Sequence, residues 1–200
     1  MRRLAALLIG LMLAPGCLVI SLNPVYDGET IGWDPALLGH WDDPDDKSSL
    51  DIERGEWRSY RIRYVHPSES GSLTGYLTSI GDERFLDVMP ARGADHGSFL
   101  IPAHALLRVH LEGDRLELTP ISYDWLNEQL RSHAPVSGLD VVFDQKENAV
   151  IVSPTAALRA WLRKQPKEDA VFGAGAVFAR KASSRDNARD ALSLVEGATR

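Results

Sequence analysis

Trp57-Arg58-Ser59-Tyr60-Arg61-Ile62-Arg63-Tyr64-Val65 alternates along its length. Successive side chains of a strand point to opposite faces, which puts Tyr60, Ile62 and Tyr64 on one face and Arg61 and Arg63 on the other. The stretch reads as a half-buried strand, and its surroundings repeat the pattern. After the Pro67-Ser68-Glu69-Ser70-Gly71 turn signal, residues 72–80 carry Leu73, Gly75 and Leu77 on one face. Arg84-Phe85-Leu86-Asp87-Val88-Met89 follows and stops at Pro90. Residues 91–97 read as a polar loop, and Ser98-Phe99-Leu100-Ile101-Pro102 begins another strand. Leu106 to Leu111 and Arg115 to Thr119 flank Glu112-Gly113-Asp114, a compact hairpin signal.

Beyond Thr119 the period lengthens. Ser122 is placed to cap a helix in which Tyr123, Leu126 and Leu130 share a stripe, ended by His133-Ala134-Pro135. Val141-Val142-Phe143 and Ala149-Val150-Ile151-Val152 flank a second hairpin. Ser153-Pro154-Thr155 reads as an N-cap followed by proline at the first helical position. The helix from Ala156 to Lys164 is expected to bury Leu158, Trp161 and Leu162, and residues 170–180 to form the closing strand.

The strand-rich region opens on Gly39-His40-Trp41, after a turn segment. This resembles the Gly-x-Trp entry of lipocalin-like (calycin) barrels. The resemblance implies a Trp that plugs one barrel end and a Gly that permits close backbone approach. The fold expected is therefore mainly β, of the β-rich α+β kind. It is a lipocalin-like antiparallel barrel or strongly curved sheet with two short helices in the C-terminal half, a more open sandwich being the alternative. In such a barrel Trp41, Tyr60, Tyr64, Tyr76 and Phe99 are candidates to line a ligand cavity. Aromatic side chains of a filled core have the same pattern.

The N-terminus places the domain. Arg2 and Arg3 precede the apolar run Leu4 to Leu13, which is too short to span a bilayer but suits a signal peptide. Leu13-Ala14-Pro15-Gly16-Cys17 resembles the bacterial lipobox. That resemblance implies cleavage before Cys17, a diacylglyceryl thioether on its sulfur and an acylated new N-terminus. Leu18, rather than Asp, in the next position resembles sorting to the outer membrane, facing the periplasm. Four segments follow: 1–16 signal peptide, 17–36 lipidated Cys and tether, 37–181 a single β-rich domain, and 182–200 a mobile tail. The tether reading rests on the breakers Asn23-Pro24, Asp27-Gly28 and Asp34-Pro35. Leu38-Gly39-His40-Trp41, Phe85-Leu86-Asp87-Val88, Ile101-Pro102-Ala103-His104 and Asp124-Trp125-Leu126 together resemble a widespread family of envelope lipoproteins, which implies no activity.

With 28 acidic against 22 basic residues the chain carries a net charge of −6, and loss of Arg2 and Arg3 makes it more acidic. Nucleic acid wants a basic face and is excluded as a partner. Cys17 is the chain's only cysteine, so no disulfide forms within it. The histidines His40, His66, His96, His104, His110 and His133 lack metal-ligand spacing. The Asp42-Asp43-Pro44-Asp45-Asp46 run lacks the pattern of a Ca²⁺ loop and reads as a solvated acidic turn. No nucleophile elbow is present. Asp87 and Asp124 interrupt apolar surroundings and read as turn-capping or ion-paired carboxylates, and Arg61, Arg63, Arg108 and Arg115 as a solvated sheet face. The expectation is a protein with no catalytic residues, metal or cofactor. It is held to a membrane through lipid on Cys17 and is a structural or interaction module for an envelope protein partner. The alternative is a carrier of a small apolar ligand.

Overall fold

The strand that alternates at Tyr60, Ile62 and Tyr64 is one stave of a hydrogen-bonded cylinder. A computed structural model describes residues 19–91, 102–132, 138–144, 149–165 and 170–181. The leader, Cys17, the strand start expected at 98–101 with Phe99, and the tail 182–200 lie outside the described residues. The mainly β fold with a closed antiparallel barrel and two helices is the architecture expected.

Two short strands, β1 (Ile20–Ser21) and β2 (Ile31–Gly32), and a 3₁₀ helix (Pro35–Leu37) come first. A meander follows: β3 (Gly39–Asp43), β4 (Ser48–Arg54), β5 (Ser59–His66), β6 (Glu69–Ile80), β7 (Glu83–Pro90), β8 (His104–Glu112) and β9 (Arg115–Pro120). Each pairs antiparallel with the next. The chain then leaves the barrel for α1 (Tyr123–Arg131), β10 (Val141–Phe143), β11 (Ala149–Ile151) and α2 (Thr155–Leu162). It returns as β12 (Ala176–Arg180), antiparallel to β9 on one side and to β3 on the other. Eight strands thus close on themselves, which removes the edges of an open sheet. The Gly113-Asp114 hairpin is a site where glycine is needed, because Gly113 has φ +57.

Two cores result. Inside the barrel lie Trp41, Leu50, Ile52, Tyr60, Ile62, Leu77, Leu86, Val88, Val109, Leu116, Leu118 and Phe178. On the outer wall, Ile80, Phe85, Leu106 and Ile121 meet Leu126 of α1, Ile151 of β11, and Leu158, Trp161 and Leu162 of α2. Hence β7 is buried on both faces, Phe85 to Val88 without a break, and its alternation disappears. Ser122 caps α1 as expected, its hydroxyl accepting from Trp125 N. The second expected cap differs. Pro154 occupies the N-cap position of α2, and Ser153 Oγ accepts instead from Asp140 N at 2.6 Å. The closing strand is also shorter than expected, because Phe172 makes only an isolated bridge to Ile121.

From residue 19 on, the segment read as a tether is built into the fold. β1 lies between β8 and β11, and β2 pairs with β6. The breakers that suggested a linker are the turns between these short elements; Asp34, for instance, caps the 3₁₀ helix.

One barrel end is shut by Trp41, which is fully buried and donates Nε1–H to Leu37 O at 3.0 Å. Over its ring, 4.1 Å from the centroid, lies the Arg180 guanidinium. Arg180 donates to Leu38 O and Ala36 O at 2.6 Å each and to Asp114 Oδ1 at 3.0 Å. What approaches Gly39 is thus this side chain. A Cβ there would stand 2.8 Å from Arg180 Nη1, and Gly39 has φ +137. Arg180→Ala is expected to cost about 2–4 kcal/mol, since it removes the cation–π contact and the charge-assisted bonds to Leu38 O, Ala36 O and Asp114. Asp114→Ala should cost under about 1 kcal/mol, because Asp114 is 81% exposed. Urea unfolding of the two variants checks this, and equal losses would show that the stacking on Trp41 contributes nothing.

Candidate functional site

The cavity candidates separate once the strands are placed. Trp41 and Tyr60 are fully buried inside the barrel, and Tyr64 packs at its margin. Tyr60 is not aimed at an empty space. Trp33 stacks on its ring at 4.6 Å, and its hydroxyl accepts from Asp34 N at 2.7 Å and donates to Asp34 O at 3.1 Å. Burial pushes the Tyr60 hydroxyl up from its ordinary pKa. Tyr76 does not belong with them: it neighbours the inward Leu77 on β6 and so points outward, where it packs on Tyr26 at 4.4 Å. Which face of β6 is the inner one could not be read from alternation, because the outer face is covered too. Packing opposite β6 is tight. A Cβ on Gly75 would come within 2.9 Å of Ile62 Cδ1 and 3.2 Å of Leu86 Cδ1. Of the cavity candidates, Trp41 and Tyr60 belong to this packed cluster, with Tyr64 against it.

Among the described residues, the most deeply buried ionisable pair lies on the outer wall. Asp87 of β7 and His104 of β8 are 1% and 6% exposed, with Asp87 Oδ1 and His104 Nδ1 2.6 Å apart. The other carboxylate oxygen accepts from Val25 N at 2.7 Å. Asp87 was expected to cap a turn or pair with an arginine; its partners are an imidazole and a backbone amide. An aspartate on histidine Nδ1 is also the orienting half of a hydrolytic triad. Ser21 stands directly across from His104 on β1, yet its hydroxyl donates to Asn23 O at 2.7 Å rather than to the imidazole. The arrangement fastens residues 21–25 to the wall as a strap.

Further bonds hold the strap along its length. Asn23 Nδ2 donates to Ser153 O at 3.0 Å, and Thr155 Oγ1 to Pro24 O at 2.7 Å. Arg159 of α2, 6% exposed, donates to Val25 O, Thr78 Oγ1 and Ser79 O. Burial pulls its pKa below the ordinary arginine value. Tyr26, beside Asp87, is pushed up to about 12, first by burial and then by the Asp87 and Tyr76 charges. Nothing in the sequence around Arg159 announced its role, since its acceptors come from two distant segments, the strap at Val25 and β6 at Thr78 and Ser79.

A second polar cluster lies on the outer face of β3 and β4. His40 Nδ1 is 2.5 Å from Asp51 Oδ1, and Nε2 is 2.7 Å from Asp42 Oδ1. Arg63 donates to Asp51 Oδ2 at 3.1 Å, and Lys181 lies 3.3 Å from Asp42. Only the imidazolium can donate from both nitrogens. The hydrogen bond to Asp51 accordingly raises the His40 pKa above 6.5, while that to His40 lowers the Asp51 carboxyl below 3.8. The acidic turn beyond is self-capped, with Asp43 Oδ1 accepting from Asp45 N and Asp46 N.

The arginines expected on a solvated face are exposed there, Arg61 and Arg63 at 67% each, and carry ion pairs, Arg63 with Asp51. Arg61 meets Glu53, and Arg115 meets Glu117. Arg108 lies over the Phe172 ring at 4.4 Å. With Glu83, His110, Glu117 and Thr119 it lines a shallow outer recess of about 230 Å³. Among the described residues no group of three or more His, Cys, Asp or Glu side chains is placed to hold a metal ion. No described helix is long and apolar enough to cross a membrane. No family model, curated protein or solved structure matches the chain.

The His40 cluster sets a pH dependence. Its folded pKa is raised, so its contribution to stability is fully present below pH 6.5 and is lost as pH rises through the raised value. Asp51 acts in the opposite sense: its contribution is present above pH 3.8 and is lost as pH falls through the lowered value. The urea midpoint of the parent should therefore drop as pH climbs above 6.5, and His40→Gln should flatten that part of the curve. An unchanged slope in His40→Gln would assign the dependence to another group.

Proposed function

We propose that this protein is a lipid-anchored envelope lipoprotein whose barrel is a non-enzymatic structural or interaction module. Its place is the outer membrane, facing the periplasm. The anchoring rests on the leader, in which a basic start and a ten-residue apolar run end at Gly16-Cys17, the chain's only cysteine. One acyl chain binds membranes marginally, whereas the two or more that a lipobox implies hold stably.

The packing of the barrel supports a module over a carrier. A carrier of a small apolar ligand needs an interior that Trp41, Tyr60, Ile62, Leu86 and Phe178 already occupy. A hydrolytic reading gains no support from Asp87 and His104, whose contacts fasten residues 21–25 to the wall.

The test is detergent-phase partition of the full-length protein expressed in a bacterial host. The parent should enter the detergent phase and show acyl mass on the peptide that begins at Cys17. Cys17→Ser should stay in the aqueous phase or keep its leader. A parent with a free thiol in the aqueous phase would end the anchored reading. Native mass spectrometry of the same parent separates the two modes of action. A bare protein mass supports the module, and an adduct lost on denaturation supports the carrier.

A further inference from the structure

We infer that the outer recess over β7, β8 and β9 is a binding site for a small zwitterion, a short-chain amino acid whose carboxylate and ammonium are held at opposite ends. The inference goes beyond the anchored reading and does not depend on it. The strand register lays out the site. Arg108 of β8 pairs with Phe85 of β7 and with Thr119 of β9, which makes one row across the wall. Two residues further along β8, His110 pairs with Glu117 of β9. Glu83, the neighbour of Arg84, extends that second row onto β7. A step of two residues along a strand is about 7 Å. A guanidinium and a hydroxyl thus stand at one end and two carboxylates at the other, around a space of about 230 Å³. At about 30 Å³ for each water, that space holds roughly seven heavy atoms.

Thr119 is the residue that points to a ligand. It is 4% exposed and lines the recess. Buried hydroxyls are normally paired, yet that of Thr119 makes no hydrogen bond among the described residues. No described side-chain oxygen or nitrogen that is shut off from solvent lacks a partner, so the Thr119 oxygen opens on the recess. Gly175 keeps that corner clear. A Cβ there would stand 2.7 Å from Thr119 Oγ1 and 2.9 Å from Glu117 Oε1. Arg108 lies over the Phe172 ring at 4.4 Å. Its guanidinium has five N–H donors, more than one partner can occupy. Glu83 and Glu117 are balanced by Arg108 and by Arg115, which is bonded to Glu117 at 2.9 Å. The signs cancel in sum but are held apart. A lone cation would face Arg108, and a lone anion would face the carboxylates, so each meets a like charge. A molecule that carries both charges satisfies the two ends together.

The probe is isotope-labelled γ-aminobutyrate, with butyrate and butylamine as its two single-charge halves. Each is titrated with the full-length protein, and line broadening of the probe is read by nuclear magnetic resonance. γ-Aminobutyrate should broaden saturably, and neither half should do so at the same concentrations. Thr119→Val keeps the shape of the side chain and should weaken binding about fivefold, and Glu83→Gln, at the opposite end, about tenfold. Circular dichroism checks that each variant keeps the fold of the parent. The two substitutions lie on different strands, so either one in a folded protein decides the matter. Broadening that butylamine or butyrate reproduces, or that survives substitution, would overturn the site. So would a parent that leaves the γ-aminobutyrate lines sharp.

Discussion

The guanidinium of Arg180 over the Trp41 ring is the contact on which closure of the barrel depends. β12 meets β3 through two residue pairs, Ala179 with Asp42 and Arg180 with Trp41, against four pairs with β9. A seam that short has few ladder hydrogen bonds, and the last side chain of the strand supplies what is missing. It crosses the barrel end, stacks on Trp41 and ties down the carbonyls of Ala36 and Leu38. Gly39 follows from the same contact, since any larger residue would occupy the space of the guanidinium.

The return of β12 also explains how a barrel accommodates an excursion of two helices and a hairpin. Residues 121–175 leave the cylinder after β9 and rejoin it beside the same strand. Ile121 and Phe172, at the two ends of that excursion, bridge each other. The added elements bury their apolar faces on the outer wall rather than in the lumen. Because the loop closes at its base, its length costs little in chain entropy.

The legible parts of the sequence were those decided locally. Alternation at Tyr60–Tyr64, the Glu112-Gly113-Asp114 hairpin and the Ser122 cap each depend on neighbours a few residues away, and each is present. The illegible parts depend on pairing across the chain. Tyr76 could not be assigned to the outer wall without knowing that helices cover that wall. The Asp87–His104 pair forms because β7 and β8 pair antiparallel and bring together two residues seventeen apart in sequence. The turn signals at Asn23-Pro24 and Asp34-Pro35 looked like those of a linker, because a strap of two-residue strands has no periodicity to show. Arg159 sat in an apolar helix face with nothing to mark it as the residue that gathers Val25, Thr78 and Ser79.

If the chain is held at Cys17 as proposed, the strap has a mechanical consequence. Any pull on the chain ahead of residue 19 then enters at β1, which is parallel to β11 and antiparallel to β8. The load is then shared at once by Asn23 on the 152–153 backbone, Thr155 on Pro24, and the Asp87 and Arg159 clasp on either side of Val25. Tension is thus delivered to the flank of a closed cylinder, where several cross-links must fail together, and not to a free linker that would stretch first. A domain so held would follow a pull on its N-terminal side as a rigid handle.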